Sequence, residues 1–268
     1  GRNFSGLCPF HGENSPSFNV SPDRQIFKCF GCGVSGDLFT FVMQHDGLSF
    51  PEAVKMLAAE TGIEIQKIES KESREEGNLK ERLYEMHDAA VAYYHYLLIK
   101  HEVGEEAREY LEKRGITVLG AEETGVDKKK KSEDIVSLFQ LGYSAKSWDG
   151  LGEFLVKKGF SVDEIIAGGL AVKSDKGRGF YDMFRGRVMF PLYDKVGHVV
   201  GFAGRVLGLD KTAKYINTAE TAIFHKREFL FGFYQAKEFI RRKGEAILVE
   251  GEMDMLSSFQ VGIKNVCA

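Results

Sequence analysis

The chain has 268 residues, with 36 Lys+Arg against 39 Asp+Glu for a formal net charge of −3, 43% hydrophobic residues, 30 glycines and 5 prolines. This composition excludes a disordered chain, a collagen and a disulfide scaffold, and it supplies apolar surface for one large or two ordinary domains. No apolar run approaches the roughly 20 residues that a bilayer span requires, so no membrane segment is expected.

The opening Gly1-Arg2-Asn3-Phe4 has neither an initiator Met nor a signal pattern, and reads as the start of a fragment and not of a secreted precursor. Three of the four cysteines crowd into positions 8 to 32, which points to a metal in a reducing cytoplasm. Charge is unevenly spread. Residues 172–243 hold 15 basic and 7 acidic groups, a net +8, while 1–66, 67–125 and 244–268 carry −3, −5 and −3. A polyanion therefore has one region on which to dock.

Cys8-Pro-Phe-His11 and Cys29-Phe-Gly-Cys32 form C-x2-H, a 17-residue spacer and C-x2-C. Two such pairs bring four borderline-soft donors to the corners of a tetrahedron, the closed arrangement of structural zinc. Between them, Ser17 to Val20 and Gln25 to Lys28 read as strands joined by a turn at Ser21 to Arg24, giving a zinc ribbon with Gly31, Gly33 and Gly36 around the second pair. Phe27, Lys28 and Phe30 have the chemistry to stack on single-stranded nucleic acid, although aromatics beside so small a zinc site more often form its core.

Asp37 to His45 then predicts a helix with Leu38, Phe41 and Val42 on its inner face. Ser49-Phe-Pro-Glu52 is a capping box opening a second helix, with Ala53, Val54, Leu57 and Ala58 along its stripe and Gly62 at its end. The charged stretch from Gln66 to Asn78 reads as a linker. From Leu79 to His101 a long amphipathic helix follows, with Leu83, Met86, Ala90, Tyr94 and Leu97 inward. His87, His95 and His101 lie on it without partners and read as packing or surface histidines.

Glu105 to Arg114 is a further helix, and the run Lys128 to Lys131 reads as a solvated loop. Short helices are expected over Ser132 to Phe139 and Leu151 to Lys158. Beyond residue 178 the pattern turns to strands, with Gly186 to Tyr193, a turn at Asp194 to Gly197, and His198 to Ala203. Arg185, Arg187, Arg205, Lys211, Lys214 and Lys226 punctuate them. Composition fits a phosphate-tracking groove and an ordinary positively charged surface equally well. At the end, Ala246 to Glu250 is a short apolar strand ending in a carboxylate, followed by Gly251 and a helix from Met255 to Phe259. Glu250 and Asp254 have the chemistry to hold Mg²⁺, Glu252 reads as solvent-facing, and Cys267 as a buried strand residue.

Taken together, these runs resemble one family. Cys8 to Gly33 is similar to the zinc-binding domain of DnaG-type bacterial primases. Phe184-Arg-Gly-Arg-Val-Met-Phe-Pro191, Gly201-Phe-Ala-Gly-Arg205, Lys214-Tyr-Ile-Asn217, Ala219-Glu-Thr221 and Phe224-His-Lys226 resemble its RNA polymerase core, and Val249-Glu-Gly-Glu-Met-Asp254 the opening of its toprim fold.

The resemblance implies an α+β chain: an N-terminal zinc ribbon with helices (1–66), a linker (67–78), and a mixed α/β primase core whose N-terminal part (79–243) leads into the start of a toprim fold (244–268). It implies a bacterial cytoplasmic enzyme making RNA primers on a single-stranded DNA template from ribonucleoside triphosphates with Mg²⁺, with a replicative helicase as partner. By position, Cys8, His11, Cys29 and Cys32 hold zinc. Arg185, Arg187, Arg205, Lys214, Asn217 and Lys226 line the template or nucleotide groove, and Glu250 and Asp254 belong to the metal site. The family's downstream Asp-x-Asp pair lies beyond Ala268, so this chain is expected to be a truncated, weakly active or inactive catalyst. The family's first helix precedes the ribbon and is missing here, and Val118 to Glu133 reads as an insertion. The competing readings are a non-enzymatic zinc-ribbon module that binds single-stranded DNA, a primase fused to a helicase, and a toprim topoisomerase or nuclease.

Overall fold

A computed structural model describes residues 3–63, 71–118, 134–174, 179–208 and 213–268. The chain forms two compact units, Gly1–Ser70 and Lys71–Ala268. The Lys128 to Lys131 run, Lys211, and most of the stretch read as an insertion lie outside the described residues.

In the first unit, β1 (Phe4–Gly6), β2 (Phe18–Ser21), β3 (Ile26–Cys29) and β4 (Ser35–Asp37) make an antiparallel sheet in that order. The two inner strands are those expected, shifted by one residue. The outer two are too short and too glycine-rich to show an alternating pattern, and backbone pairing alone specifies them. Phe10, Phe18, Phe27 and Phe41 pack ring to ring with centroids 5.3 to 6.1 Å apart, so Phe27 belongs to the core. Phe30 instead stays exposed beneath the Lys28 ammonium.

Helix α1 (Leu38–Asp46) begins where Asp37 accepts the Thr40 amide at 2.8 Å. Val42 is buried and Phe41 packs on the ribbon core, but Leu38, expected inward, is exposed and lines an open groove with Ile26 and Phe39. It sits in the first turn, one turn before the residues that reach the core. In α2 (Phe50–Thr61) the Ser49 amide and hydroxyl both donate to the Glu52 carboxylate at 2.6 Å, the expected capping box.

The second unit opens with α3 (Lys71–Ile99), which begins inside the stretch read as a linker. Lys, Glu and Arg are strong helix formers, so a lack of apolar residues over 71–78 does not argue against a helix. Further along α3, Leu83, Met86, Ala90, Tyr94 and Leu97 are buried as expected. His87 is enclosed with them: its Nδ1 pairs with the Leu83 carbonyl oxygen at 2.7 Å, its ring stacks on Phe202, and burial holds its pKa down at about 4. His95 pairs with the Leu141 carbonyl and His101 accepts the Val103 amide, so all three histidines have local packing roles.

Then come α4 (Glu105–Lys113), α5 (Ile135–Leu138), β5 (Gly142–Ser144), α6 (Gly150–Lys157), α7 (Val162–Ala167), and the hairpin of β6 (Ala171–Lys173) with β7 (Phe180–Asp182). The centre of the unit is an antiparallel sheet in the order β10-β9-β8-β5, with β8 (Arg187–Tyr193), β9 (Val199–Val206) and β10 (Tyr215–Asn217). One Asp194 oxygen accepts the amides of Val196, Gly197 and His198 at 2.7 to 2.9 Å, which sets the expected turn between β8 and β9.

Both faces of this sheet are covered. Met189, Phe202 and Phe184 join Leu83, Met86, Tyr94, Leu151 and Ile165 on one side. Val188, Phe190 and Ala203 join Leu111, Phe139, Phe231, Leu256 and Phe259 on the other. After α8 (Phe233–Lys243), β11 (Ile247–Leu248) pairs in parallel with β12 (Val266–Cys267), with α9 (Glu252–Gln260) between them in sequence. The apolar strand expected here is two residues long, and Leu248 is 69% exposed. Cys267 is buried in its strand, as expected.

One ion pair ties α3 to α7: Arg82 Nε meets Glu164 at 3.0 Å while the guanidinium lies over Phe160. Arg82 and the Ser161 amide hold the Glu164 carboxyl down at about 2. A depressed carboxyl contributes stability above its unfolded pKa and loses it as pH falls towards 2. Glu164→Gln is therefore expected to lower the melting temperature by about 2–4 °C above pH 5, a loss of about 1 kcal/mol for a partly exposed pair, with the gap to wild type narrowing by pH 3 in calorimetry. An equal gap at both pH values would refute the assignment.

Candidate functional site

The ribbon brings Cys8, His11, Cys29 and Cys32 together, with their ligand atoms all within 4.8 Å of one another. Cys8 and Cys32 sulfurs are 3.9 Å apart, and Cys29 Sγ lies 3.8 Å from His11 Nδ1. A tetrahedral zinc with Zn–S of about 2.3 Å separates its sulfurs by roughly 3.8 Å, so the donor set fits the ion in chemistry and in size. Amides already point at the sulfurs: Phe10 N–H at Cys8, and Gly31 and Cys32 N–H at Cys29, at 3.3 to 3.4 Å. A Cβ on Gly31 would fall 2.7 Å from His11 Nε2 and 2.8 Å from Ser17 Oγ, so a side chain there would displace the groups around the cluster.

A residue without a sequence motif organises the site. Glu13 takes the Cys8 amide at 2.7 Å and the Ser17 amide at 3.1 Å on one oxygen; its other oxygen accepts the Ser17 hydroxyl and lies 3.3 Å from His11 Nε2. With Nε2 turned to Glu13, His11 presents Nδ1 to the cluster. Ser17 Oγ in turn lies 3.1 Å from Cys29 Sγ. Burial by itself raises the Cys29 thiol, but the Ser17 hydroxyl and the Cys32 and Gly31 amides outweigh it and hold it at about 6, whereas burial pushes Cys8 up to about 11.

The basic residues of the second unit divide by depth and by face. Arg187 pairs across strands with Val206, and Val188 with Arg205, so alternation sends the two arginines to opposite sides of the sheet. Both are only 6% exposed. The two arginines expected to line the template or nucleotide groove are thus buried on opposite faces of the sheet. Arg187 donates to the carbonyls of Gly204 and Ala213 at 3.0 Å. The Arg205 guanidinium lies between the Tyr110 and Tyr215 rings and donates to the Tyr215 hydroxyl at 2.6 Å. Lys214 and Lys226 are exposed, and Asn217 keeps a buried Oδ1 with no hydrogen-bond partner.

Arg185 belongs to a third setting. Its guanidinium stacks on Trp148 at 4.8 Å and on Tyr181 at 5.1 Å, and it donates to the Asp182 carbonyl. Asp182 builds this platform: its amide donates to the Trp148 carbonyl at 2.8 Å, and its carboxylate accepts the Leu151 and Gly152 amides at 2.8 and 2.9 Å. Burial raises that carboxyl to about 6. Trp148 is 57% exposed, so a rigid aromatic face with a cation on it is open to solvent.

Glu250 and Asp254 are exposed, on either side of the Gly251 cap and in the first turn of α9. Glu252, read as solvent-facing, is half-buried. Burial raises its carboxyl, while the charges of Arg205 and Lys226 pull it back. Met255, Leu256 and Phe259 of α9 pack with Val188 and Ala203, the sheet face that also carries Arg205. Among the described residues, only the zinc cluster gathers three or more metal-ligating side chains.

Residues 93–237, more than half of the chain, match the family described as DNA primase catalytic core, N-terminal domain, and residues 1–73 match the CHC2 zinc finger. The chain belongs to the DnaG-type DNA primase family. It is 40% identical over 274 residues to the DNA primase of Listeria monocytogenes serovar 1/2a, covering 100% of this chain and 41% of that protein. It is also 40% identical over 266 residues to the DNA primase of Geobacillus stearothermophilus, covering 98% and 42%. The chain thus spans about two fifths of the length of these curated primases. The crystal structure of the Aquifex aeolicus primase zinc binding and RNA polymerase domains matches with a TM-score of 0.60 at 37% identity, over 100% of this chain and 60% of that one. A DnaG primase catalytic domain bound to ssDNA matches with a TM-score of 0.58 at 35% identity, over 72% and 54%.

Within this primase fold, sequence reasoning missed Glu13, Tyr110, Trp148 and Asp182 as site-building residues. Glu13 had a signal in its spacing, two residues after a zinc-ligating His, and Trp148 in being the sole Trp. Tyr110 and Asp182 had none, since their partners are distant in sequence. For the ribbon, one zinc per chain is expected. Glu13→Gln is expected to lower zinc affinity by about 10–100-fold in chelator competition, with the fold retained. Unchanged zinc retention would refute the role of Glu13.

Proposed function

We propose that this chain is the zinc-binding and polymerase-core portion of a bacterial DNA primase, which makes short RNA primers on single-stranded DNA from ribonucleoside triphosphates. The observation that carries this reading is that α9, whose first turn holds the acidic run, packs on the sheet face from which Arg205 projects, with the charges of Arg205 and the exposed Lys226 both felt at Glu252. Nucleotidyl transfer needs that combination: cations for the triphosphate and carboxylates for a divalent metal.

In this reading Lys214 and Lys226, both exposed, neutralise phosphate charge. Arg205, fixed between two tyrosines, keeps Tyr215 and the edge of the sheet in register beside them. Glu250 and Asp254 are hard oxygen donors of the type that suits Mg²⁺. That ion, when bound, stabilises charge developing on the phosphorus oxygens during in-line attack by a primer 3′-hydroxyl. Val249 to Asp254 then opens a toprim fold. The template passes the Trp148–Tyr181–Arg185 platform, where a base stacks on the open ring face and its phosphate meets the cation. The known ssDNA-bound primase domain supports this partner. A replicative helicase and a bacterial cytoplasmic setting follow from the family alone.

Trp148 is the sole tryptophan, so its fluorescence reports this contact directly. Titration with an oligothymidylate is expected to quench it. Trp148→Ala is expected to weaken binding, read by anisotropy, by about 1–3 kcal/mol with the salt dependence unchanged. Binding without quenching would move the template elsewhere.

The activity is tested by primer synthesis on single-stranded DNA with ribonucleotides and Mg²⁺. This chain is compared with a version extended through the family's Asp-x-Asp pair, with zinc content recorded for both. Synthesis by the extended protein, reduced on the order of 10³-fold by Glu250→Gln, is the expected result. Should neither make primers while both hold zinc and bind DNA, the chain is a DNA-binding module and not a catalyst.

A further inference from the structure

Arg187 stands in a family run rich in cations, yet its side chain is buried and points to the sheet face opposite Arg205. One terminal nitrogen reaches three carbonyls: Gly204 at 3.0 Å, Ala213 at 3.0 Å and Lys214 at 3.4 Å. Gly204 belongs to β9, whereas Ala213 and Lys214 are exposed and immediately precede β10. That edge strand pairs with β9 through Tyr215, Ile216 and Asn217, flanked by the Val206 amide on the Lys214 carbonyl at 3.1 Å and the Thr218 amide on the Phe202 carbonyl at 2.9 Å.

Glycine at position 204 is part of the same device. A Cβ there would lie 2.8 Å from the Phe184 ring and 3.1 Å from Arg187 Cδ, so the arginine stem crosses β9 only because no side chain is in its way.

We propose that Arg187 is a positioning residue, whose guanidinium pins the backbone of residues 213–214 to β9 and thereby aims Lys214 at phosphate, with no phosphate contact of its own. This rests on the reading of Lys214 as a groove cation. One terminal nitrogen at the end of the long arginine stem reaches this set of carbonyls, and a lysine ammonium, one bond nearer the backbone, keeps the charge but falls short of them. A phosphate contact tolerates that exchange far better than a clamp does.

Three variants of this chain test the idea: Arg187→Lys, Lys214→Ala and the double variant, each checked for zinc content and melting temperature. Hydrogen exchange over residues 213–217 is expected to be at least about tenfold faster in Arg187→Lys, since the segment would open locally. Exchange unchanged from wild type overturns the clamp.

In oligothymidylate binding, Lys214→Ala is expected to lower both the affinity and the slope of log K against log salt, the slope by about 0.7 for one lost contact on a single strand. Arg187→Lys is expected to do the same, and the double variant to be no weaker than the weaker single one. Losses that multiply, with the slope falling twice, make Arg187 a phosphate contact and overturn the proposal. So does wild-type binding by Arg187→Lys when Lys214→Ala is impaired. Wild-type binding by Lys214→Ala instead overturns the groove reading and the aiming role with it, and exchange then reports separately whether Arg187 holds the segment. Gly204→Ala, which crowds the stem while leaving the guanidinium in the chain, is expected to reproduce the Arg187→Lys signature; wild-type exchange and binding in that variant would also count against the clamp.

Discussion

Neighbouring residues on a strand face opposite ways, and β8 and β9 have an apolar core against each face. That constraint organises the second unit. It sends Val188 and Phe190 to one core and Met189 to the other, and it applies equally to the cations interleaved with them. Arg187 and Arg205 are buried because their registers are enclosed, and burial obliges each guanidinium to find partners. One finds backbone carbonyls, the other two tyrosines. The exposed cations, Lys214 and Lys226, stand outside the paired part of the sheet, where side chains are free to reach a polyanion. Division of labour among residues of one sign thus follows from the pleat.

The ribbon unit meets a different problem. Its aromatic cluster around Phe10, Phe18, Phe27 and Phe41 is small, and a domain of that size needs a staple. Four ligands supply it, and the cost of bringing them together is met by hydrogen bonds formed around them. Glu13 and Ser17 link the first knuckle to the second through Cys8, His11 and Cys29. The same contacts lower one thiol and set the histidine tautomer, so folding and metal binding are prepared by one network.

Legibility in the sequence varied with the range of the interactions involved. The zinc ligands, the Ser49–Glu52 capping box, the long amphipathic helix and the β8–β9 hairpin depend on residues within a few positions of each other, and each was readable from spacing. The boundary between linker and α3 was misplaced because a charged, apolar-poor composition suits an exposed linker and a helix alike. Leu38 was given an inward place because periodicity ranks residues around an axis without saying where the neighbouring element stops, and Glu252 was read as solvent-facing because its burial depends on elements distant in sequence.

The amino-acid sequence by itself determined the zinc chemistry, the family, and which residues carry charge, since these are properties of residue type and local spacing. Only the tertiary structure decided which cations face solvent, that Trp148 and Tyr181 meet Arg185, and that Arg205 and Lys226 act on Glu252. Apart from Tyr181 to Arg185, four residues apart, those contacts join positions from 26 to 47 residues apart in the chain, with Trp148 to Arg185 and Lys226 to Glu252 among them. Sheet register and helix packing bring them together, and neither is encoded in the spacing of any one motif.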